Sequence, residues 1–90
     1  MIAKIRVSGR VQGVGFRYIV QQKALALDLK GWVRNNDDGT VSIEIEGTKD
    51  QIDAFMENLG RGLHRFIRID DMDVEYEEGT KGYKNFRVRY

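Results

Sequence analysis

The chain has 90 residues, 41% of them hydrophobic, enough for one small domain (1–90) that buries roughly 60–65% of its unfolded surface around a single core. Fifteen basic and fourteen acidic side chains leave a formal charge of +1, so no global field draws in nucleic acid or an anionic bilayer, and any anion must be bound locally. The lack of cysteine excludes disulfides, thiolate nucleophiles and sulfur-ligated metals and suits a reducing cytoplasm, and no stretch has the apolar length of a signal h-region or a membrane span, which predicts a soluble chain.

Ala3, Ile5 and Val7 alternate with Lys4, Arg6 and Ser8, the period of a strand with one buried face. From Phe16 the period changes. Phe16, Ile19, Val20, Ala24 and Leu27 fall at helical spacing and predict a first helix that stops near Asp28. Gly31 to Asn35 reads as strand two, Asn36-Asp37-Asp38-Gly39 as a hairpin turn, and Val41, Ile43 and Ile45 as strand three paired to it. Gly47 breaks that strand, Thr48 and Gln51 have capping-box spacing, and Ile52, Phe55, Met56 and Leu59 stripe a second helix ending at Gly60 and Gly62. Ile67 and Ile69 share one parity while Met72, Val74 and Tyr76 share the other, so strand four is bulged at Asp70-Asp71 or broken there. A turn at Gly79 to Gly82 leads to a short last strand through Phe86, Val88 and Tyr90. The order βαββαβ plus a strand predicts an α+β, ferredoxin-like sandwich with two helices on one face of a mainly antiparallel sheet. That plait hosts enzymes, RNA binders and regulatory modules alike.

Chemistry concentrates in Gly9-Arg10-Val11-Gln12-Gly13-Val14-Gly15-Phe16-Arg17, which sets three glycines and an arginine between strand one and helix one. Glycine lets backbone N–H groups converge, the helix adds the positive end of its dipole, and arginine adds a planar fork of donors, so the loop reads as a phosphate cradle. A structural turn is the alternative. Arg17 sits in the first helical turn, against the dipole, which favours a bound anion; a surface arginine paired with a carboxylate is the competing explanation. Trp32 and Tyr18 are expected in the core, His64 in a solvated loop, and the scattered aspartates in turns with no calcium-loop spacing.

The segment Gly9 to Arg17 resembles the first signature of the acylphosphatase family, and Gly31-Trp32-Val33-Arg34-Asn35 with Asp38-Gly39-Thr40-Val41 resembles the second. Glu46-Gly47 and the closing Phe86-Arg87-Val88-Arg89-Tyr90 extend the similarity over essentially the whole chain. The resemblance implies hydrolysis of small-molecule acyl phosphates to a carboxylate and inorganic phosphate, by a cytoplasmic monomer, with no metal or other cofactor and no nucleic-acid or membrane partner. Inorganic phosphate or sulfate would be a ligand. Carried over residue by residue, Arg17 binds the phosphoryl group, the backbone of Gly9, Arg10, Val11, Gln12, Gly13, Val14, Gly15, Phe16 and Arg17 cradles its oxygens, and Asn35 orients the attacking water. The resemblance also allows the Tyr90 carboxylate to orient Arg17.

The residues around the cradle include no histidine, cysteine or acidic pair to move protons. A carboxylate leaving group, whose parent acid has a pKa near ~4, departs without one, whereas an alkoxide does not, so mixed carboxylic-phosphoric anhydrides are the expected substrates and ordinary phosphate monoesters poor ones. Asp28 stands where the family often has glycine, and Gly62-Leu63 where it often has Gly-Pro. Two rival readings are an RNA-binding plait and a non-catalytic acylphosphatase-like domain of a larger assembly. Lys4, Arg6, Glu44 and Glu46 on the open sheet face count against the first, and Arg17 and Asn35 against the second.

Overall fold

The period-two alternation near the start is realised as expected. In the computed structural model, which describes residues 1–61, 63 and 65–90, Ala3, Ile5 and Val7 are buried on one face of β1 (Ile2–Arg10), and Lys4 and Arg6 lie on the other. α1 (Phe16–Ala26), β2 (Lys30–Asn35), β3 (Val41–Glu46), α2 (Lys49–Leu59), β4 (Arg68–Glu77) and β5 (Phe86–Arg89) follow in chain order. The five strands form one sheet in the order β4-β1-β3-β2-β5, antiparallel except for the β2–β5 pair. This is the ferredoxin-like sandwich that the element order predicts. Phe16, Val20 and Ala24 of α1 and Ile52, Phe55 and Leu59 of α2 close over Ala3, Ile5, Val33, Ile43 and Ile45 of the sheet. Each of the larger side chains among them, valine, isoleucine, leucine or phenylalanine, contributes roughly 1.5–3 kcal/mol by leaving water.

Local chemistry fixes where elements start and stop. Thr48 accepts from the Gln51 N–H at 3.1 Å while the Gln51 carboxamide accepts from the Thr48 N–H at 2.8 Å, so α2 opens with both halves of a capping box. α1 ends two residues earlier than expected. Asp28 adopts φ 55°, its N–H donates to Leu25 O at 3.1 Å, and Leu29 N–H donates to Ala24 O at 2.9 Å, the reversal usually built on glycine. An aspartate serves because its short polar side chain tolerates the left-handed region, here held by Lys30 at 2.7 Å. β4 is continuous and bulged: Ser8 aligns with Asp71 and Gly9 with Ile69, leaving Asp70 as the extra residue.

Two aromatic expectations need correction. Tyr18 is 65% exposed, and Trp32 is half-buried on the open face of the sheet, not in the core. Parity explains Trp32, since Gly31 and Val33 are the β2 residues that face the helices. Its indole N–H donates to the Tyr83 hydroxyl at 3.1 Å, and the guanidiniums of Arg34 and Arg89 lie 5.3 and 4.8 Å from its ring. Tyr83 in turn donates to Glu44, the buried charged residue of the described set, which Lys81 also meets at 3.0 Å. Burial raises the Glu44 carboxyl, but the Tyr83 hydroxyl and the Lys81 ammonium outweigh it and hold the group below its ordinary value. Gly62 and His64 lie outside the described residues.

Candidate active site

The β1–α1 connection is shaped by the bulge beside it. Gly9 has φ 131°, and a Cβ there would lie 2.2 Å from Arg68 O and 2.8 Å from Asp70 N, so only glycine lets β1 run this close to the bulged strand before turning away. Val11 and Phe16 are buried and anchor the two ends of the loop. Between them the chain reverses, and Gly15 enters α1 as its N-cap at φ 81° with no side chain to accept from the first-turn amides. No acidic residue lies in that turn either. α2 caps itself fully, whereas α1 presents open N–H groups and the positive end of its dipole to a recess of about 290 Å³ lined by Val11, Gly13, Gly15, Arg17, Val88 and Tyr90, among others.

Arg17 is half-buried in the first turn of α1, with its guanidinium carbon 4.9 Å from the Tyr90 ring centroid. Among the described residues no carboxylate pairs with it, the Tyr90 terminus included. Arg17 therefore rests against the Tyr90 ring, where the resemblance allows a contact with the carboxylate. A guanidinium stacked on an exposed ring keeps its donors available.

Asn35 closes β2 on the face of Gly31 and Val33, beneath the helices. Its Oδ1 is buried and has no hydrogen-bond partner. Buried acceptors left unpaired are uncommon and cost about 1–3 kcal/mol, so an orphan of this kind marks a place for water or ligand. The parallel register runs from Gly31 beside Phe86 to Arg34 beside Arg89, and its continuation brings Asn35 alongside Tyr90, whose ring carries Arg17. The two residues singled out in the sequence thus converge on one end of the β2–β5 pair, with α1 packed on both strands.

The Gln12 side chain has a role that the sequence does not announce. Its Nε2 donates to Asn36 O at 2.7 Å and to Thr40 O at 2.9 Å, fastening the glycine loop to the turn that follows Asn35. Asn36 continues the link through its Nδ2 to Thr40 Oγ1 at 2.9 Å and Ser42 Oγ at 2.7 Å. Because the partners of Gln12 are main-chain carbonyls, no residue pattern betrays them. Gln12→Met, which keeps size and removes both donors, is expected to lower stability by about 1–3 kcal/mol in urea unfolding. Gln12→Glu, which points oxygen at both carbonyls, is expected to cost more.

The same turn carries a pH-sensitive lock. Asp38 accepts from the Thr40 hydroxyl at 2.6 Å and the Thr40 N–H at 3.0 Å and pairs with Arg6, and these contacts hold its carboxyl at about 2, below the ordinary 3.8. A depressed carboxyl stabilises the fold above its unfolded value and loses that contribution as pH falls from about 4 through about 2. Thermal midpoints of the parent and Asp38→Asn should therefore differ at pH 6 and converge by pH 2.

A larger recess, about 550 Å³, lies on the open face of the sheet between Lys4, Arg6, Trp32, Glu44, Asp73 and Glu75. It mixes both charges and contains neither Arg17 nor Asn35, so size does not locate the chemistry here.

Together these features describe an α+β sandwich with uncapped amides and, among the described residues, a guanidinium without a carboxylate partner where a glycine loop enters a helix, and with an orphaned carboxamide at the end of β2. The acylphosphatase family model matches residues 3–88. An acylphosphatase from Oceanobacillus iheyensis is 48% identical over 88 residues, covering 97% of this chain and 96% of its own. The crystal structure of acylphosphatase from Bacillus subtilis superposes with a TM-score of 0.93 at 41% identity, with both chains covered completely. The chain also matches 12% of full-length HypF, solved in a phosphate- and nucleotide-bound form, at TM-score 0.90 and 37% identity. The chain belongs to the acylphosphatase family, hydrolases acting on acyl phosphates.

Proposed function

We propose that the β1–α1 loop and Arg17 hold the phosphoryl group of an acyl phosphate while Asn35 presents the attacking water. The buried, unpartnered Oδ1 of Asn35 is the observation that carries this reading. In it, the amides of the Gly9–Arg17 segment and the open end of α1 donate to the phosphoryl oxygens, and the Arg17 fork leaves the Tyr90 ring to grip two of them. Charge spread over those oxygens in a loose transition state is met by donors already in place. Asn35 Oδ1 accepts a hydrogen bond from the water and so turns the water lone pair toward phosphorus. The water oxygen–phosphorus bond forms, the acyl oxygen–phosphorus bond breaks, and the carboxylate departs with its electron pair and no added proton. The proton released from water passes to a phosphate oxygen. No step requires a metal or another cofactor, and inorganic phosphate, as product, occupies the same cradle.

A cytoplasmic monomer is the accompanying reading, the compartment supported by the cysteine-free composition. The covering of Trp32 by Arg34, Arg89 and Tyr83 leaves the open face without a free stacking platform, which speaks against the RNA-binding alternative. The match to a small part of HypF favours one second reading, a module that works within a longer protein. Incubation with benzoyl phosphate in excess chelator, followed by loss of substrate absorbance, tests the proposal. Turnover is expected; its absence, with phosphate binding retained, would favour the module.

A further inference from the structure

A net charge of +1 hides an uneven layout. Across the open face of the sheet, the row one residue before Asn35 runs from Asp73 on β4 through Arg6 and Ser42 to Arg34 on β2 and Arg89 on β5. In the next row Glu75 stands on β4 and Arg87 on β5. The acids thus gather at one edge and the arginines at the other, four strand spacings or about 19 Å away. Among the described residues none of Asp73, Glu75, Arg34, Arg87 and Arg89 forms an ion pair.

Arg34 and Arg89 are exposed, aligned on neighbouring strands, and hold their guanidinium carbons 5.3 and 4.8 Å from the Trp32 ring. Like charges side by side across two strands oppose the pairing, and the ring face offsets only part of that. A conflict carried with no carboxylate to relieve it points to a use for the charge. Each arginine stands one residue before a group of the candidate site, Arg34 before Asn35 and Arg89 before Tyr90, whose ring carries Arg17. Successive residues of a strand face opposite ways, so the two arginines form no part of the cradle, yet their charges lie on the order of 10 Å from it.

We propose that Arg34 and Arg89 are capture residues: their field, with the acids kept apart on β4, gathers dianionic acyl phosphates at the end of the β2–β5 pair, a role that rests on the function proposed above. A phosphoryl group carries a charge of about −1.5 to −2 at neutral pH. Two positive charges at that range raise its local concentration about fivefold where the Debye length is ~30 Å, and hardly at all once salt shortens that length to a few ångströms. The chemical step is untouched, because neither guanidinium meets the reacting atoms.

The test follows kcat and KM for benzoyl phosphate at about 0.01 M and about 0.5 M sodium chloride in the parent and in three double variants. Arg34→Gln with Arg89→Gln removes the charges, and Arg34→Lys with Arg89→Lys keeps them while giving up the planar stack on Trp32. Lys49→Gln with Lys84→Gln changes the net charge equally at the opposite end of the sheet, where α2 begins and the chain enters β5. The glutamine pair at 34 and 89 is expected to lie about fivefold below the parent in kcat/KM at low salt, through KM with kcat kept, and to come within about twofold of it at high salt. That convergence excludes misfolding as the cause. The other two variants are expected to follow the parent at both salt concentrations. No deficit at low salt, a deficit that persists at high salt, or an equal loss in either of the other variants would overturn capture and leave the proposed hydrolysis standing. If the parent turned over no benzoyl phosphate at either concentration, the proposed function would fall and capture with it.

Discussion

Arg17→Ala should abolish benzoyl phosphate turnover, with kcat/KM falling by a factor on the order of 10³ to 10⁵, and should weaken inhibition by inorganic phosphate in parallel. Both effects follow from the position of the residue. It stands in the first turn of a helix with neither a capping side chain nor an acid, and its resting contact is the face of Tyr90. Among the described residues none holds the guanidinium by its hydrogen-bond donors, so they remain for the ligand. Arg17→Lys keeps the charge and loses the fork, and should recover phosphate binding better than turnover. Competitive inhibition constants for phosphate, measured beside kcat and KM, separate these losses. A variant within tenfold of the parent, or one with an unchanged phosphate constant, would remove Arg17 from the site.

Asn35→Ala should behave differently: turnover slower by roughly a hundredfold or more, phosphate inhibition largely kept, and stability nearly unchanged. The last point is the least expected of a half-buried polar residue. Because Oδ1 has no partner in the resting fold, its removal breaks no hydrogen bond to that atom and relieves a desolvated acceptor. A residue whose loss costs activity and spares the fold is one kept for its chemistry. If phosphate inhibition weakened along with turnover, Asn35 would be holding the substrate instead of the water. A large loss of stability would mean that the carboxamide serves the hairpin.

Much of the fold was legible because periodicity and local chemistry agreed. Ala3, Ile5 and Val7, the Thr48–Gln51 pair, and the parity change at Asp70 each predicted a feature that the structure contains, the last resolving as a bulge. Trp32 misled because hydrophobic character says that a residue avoids water, not which side of a strand it leaves by; Gly31 and Val33 had already taken the helix side. Tyr18 lies two residues after buried Phe16, and a helix turns about 100° per residue, so it faces nearly the opposite way. At the site, residue types and order suggested the glycine loop and Arg17, and the resemblance to the acylphosphatase family added Asn35. What connects them was not readable. The Gln12 tether ends on carbonyls, and Arg17 meets Tyr90 through the ring, where the resemblance offered the carboxylate.

The strand that carries the glycine loop is hydrogen-bonded on one side to β3 and on the other to β4, more than sixty residues further on at Ser8 and Asp71, while β2 receives β5 from a similar distance. Such pairings require closure of long loops before they return any stabilisation, and chains of this topology cross their folding barrier late and as a unit. The glycine loop is therefore expected to take its folded shape only as strands distant in sequence pair.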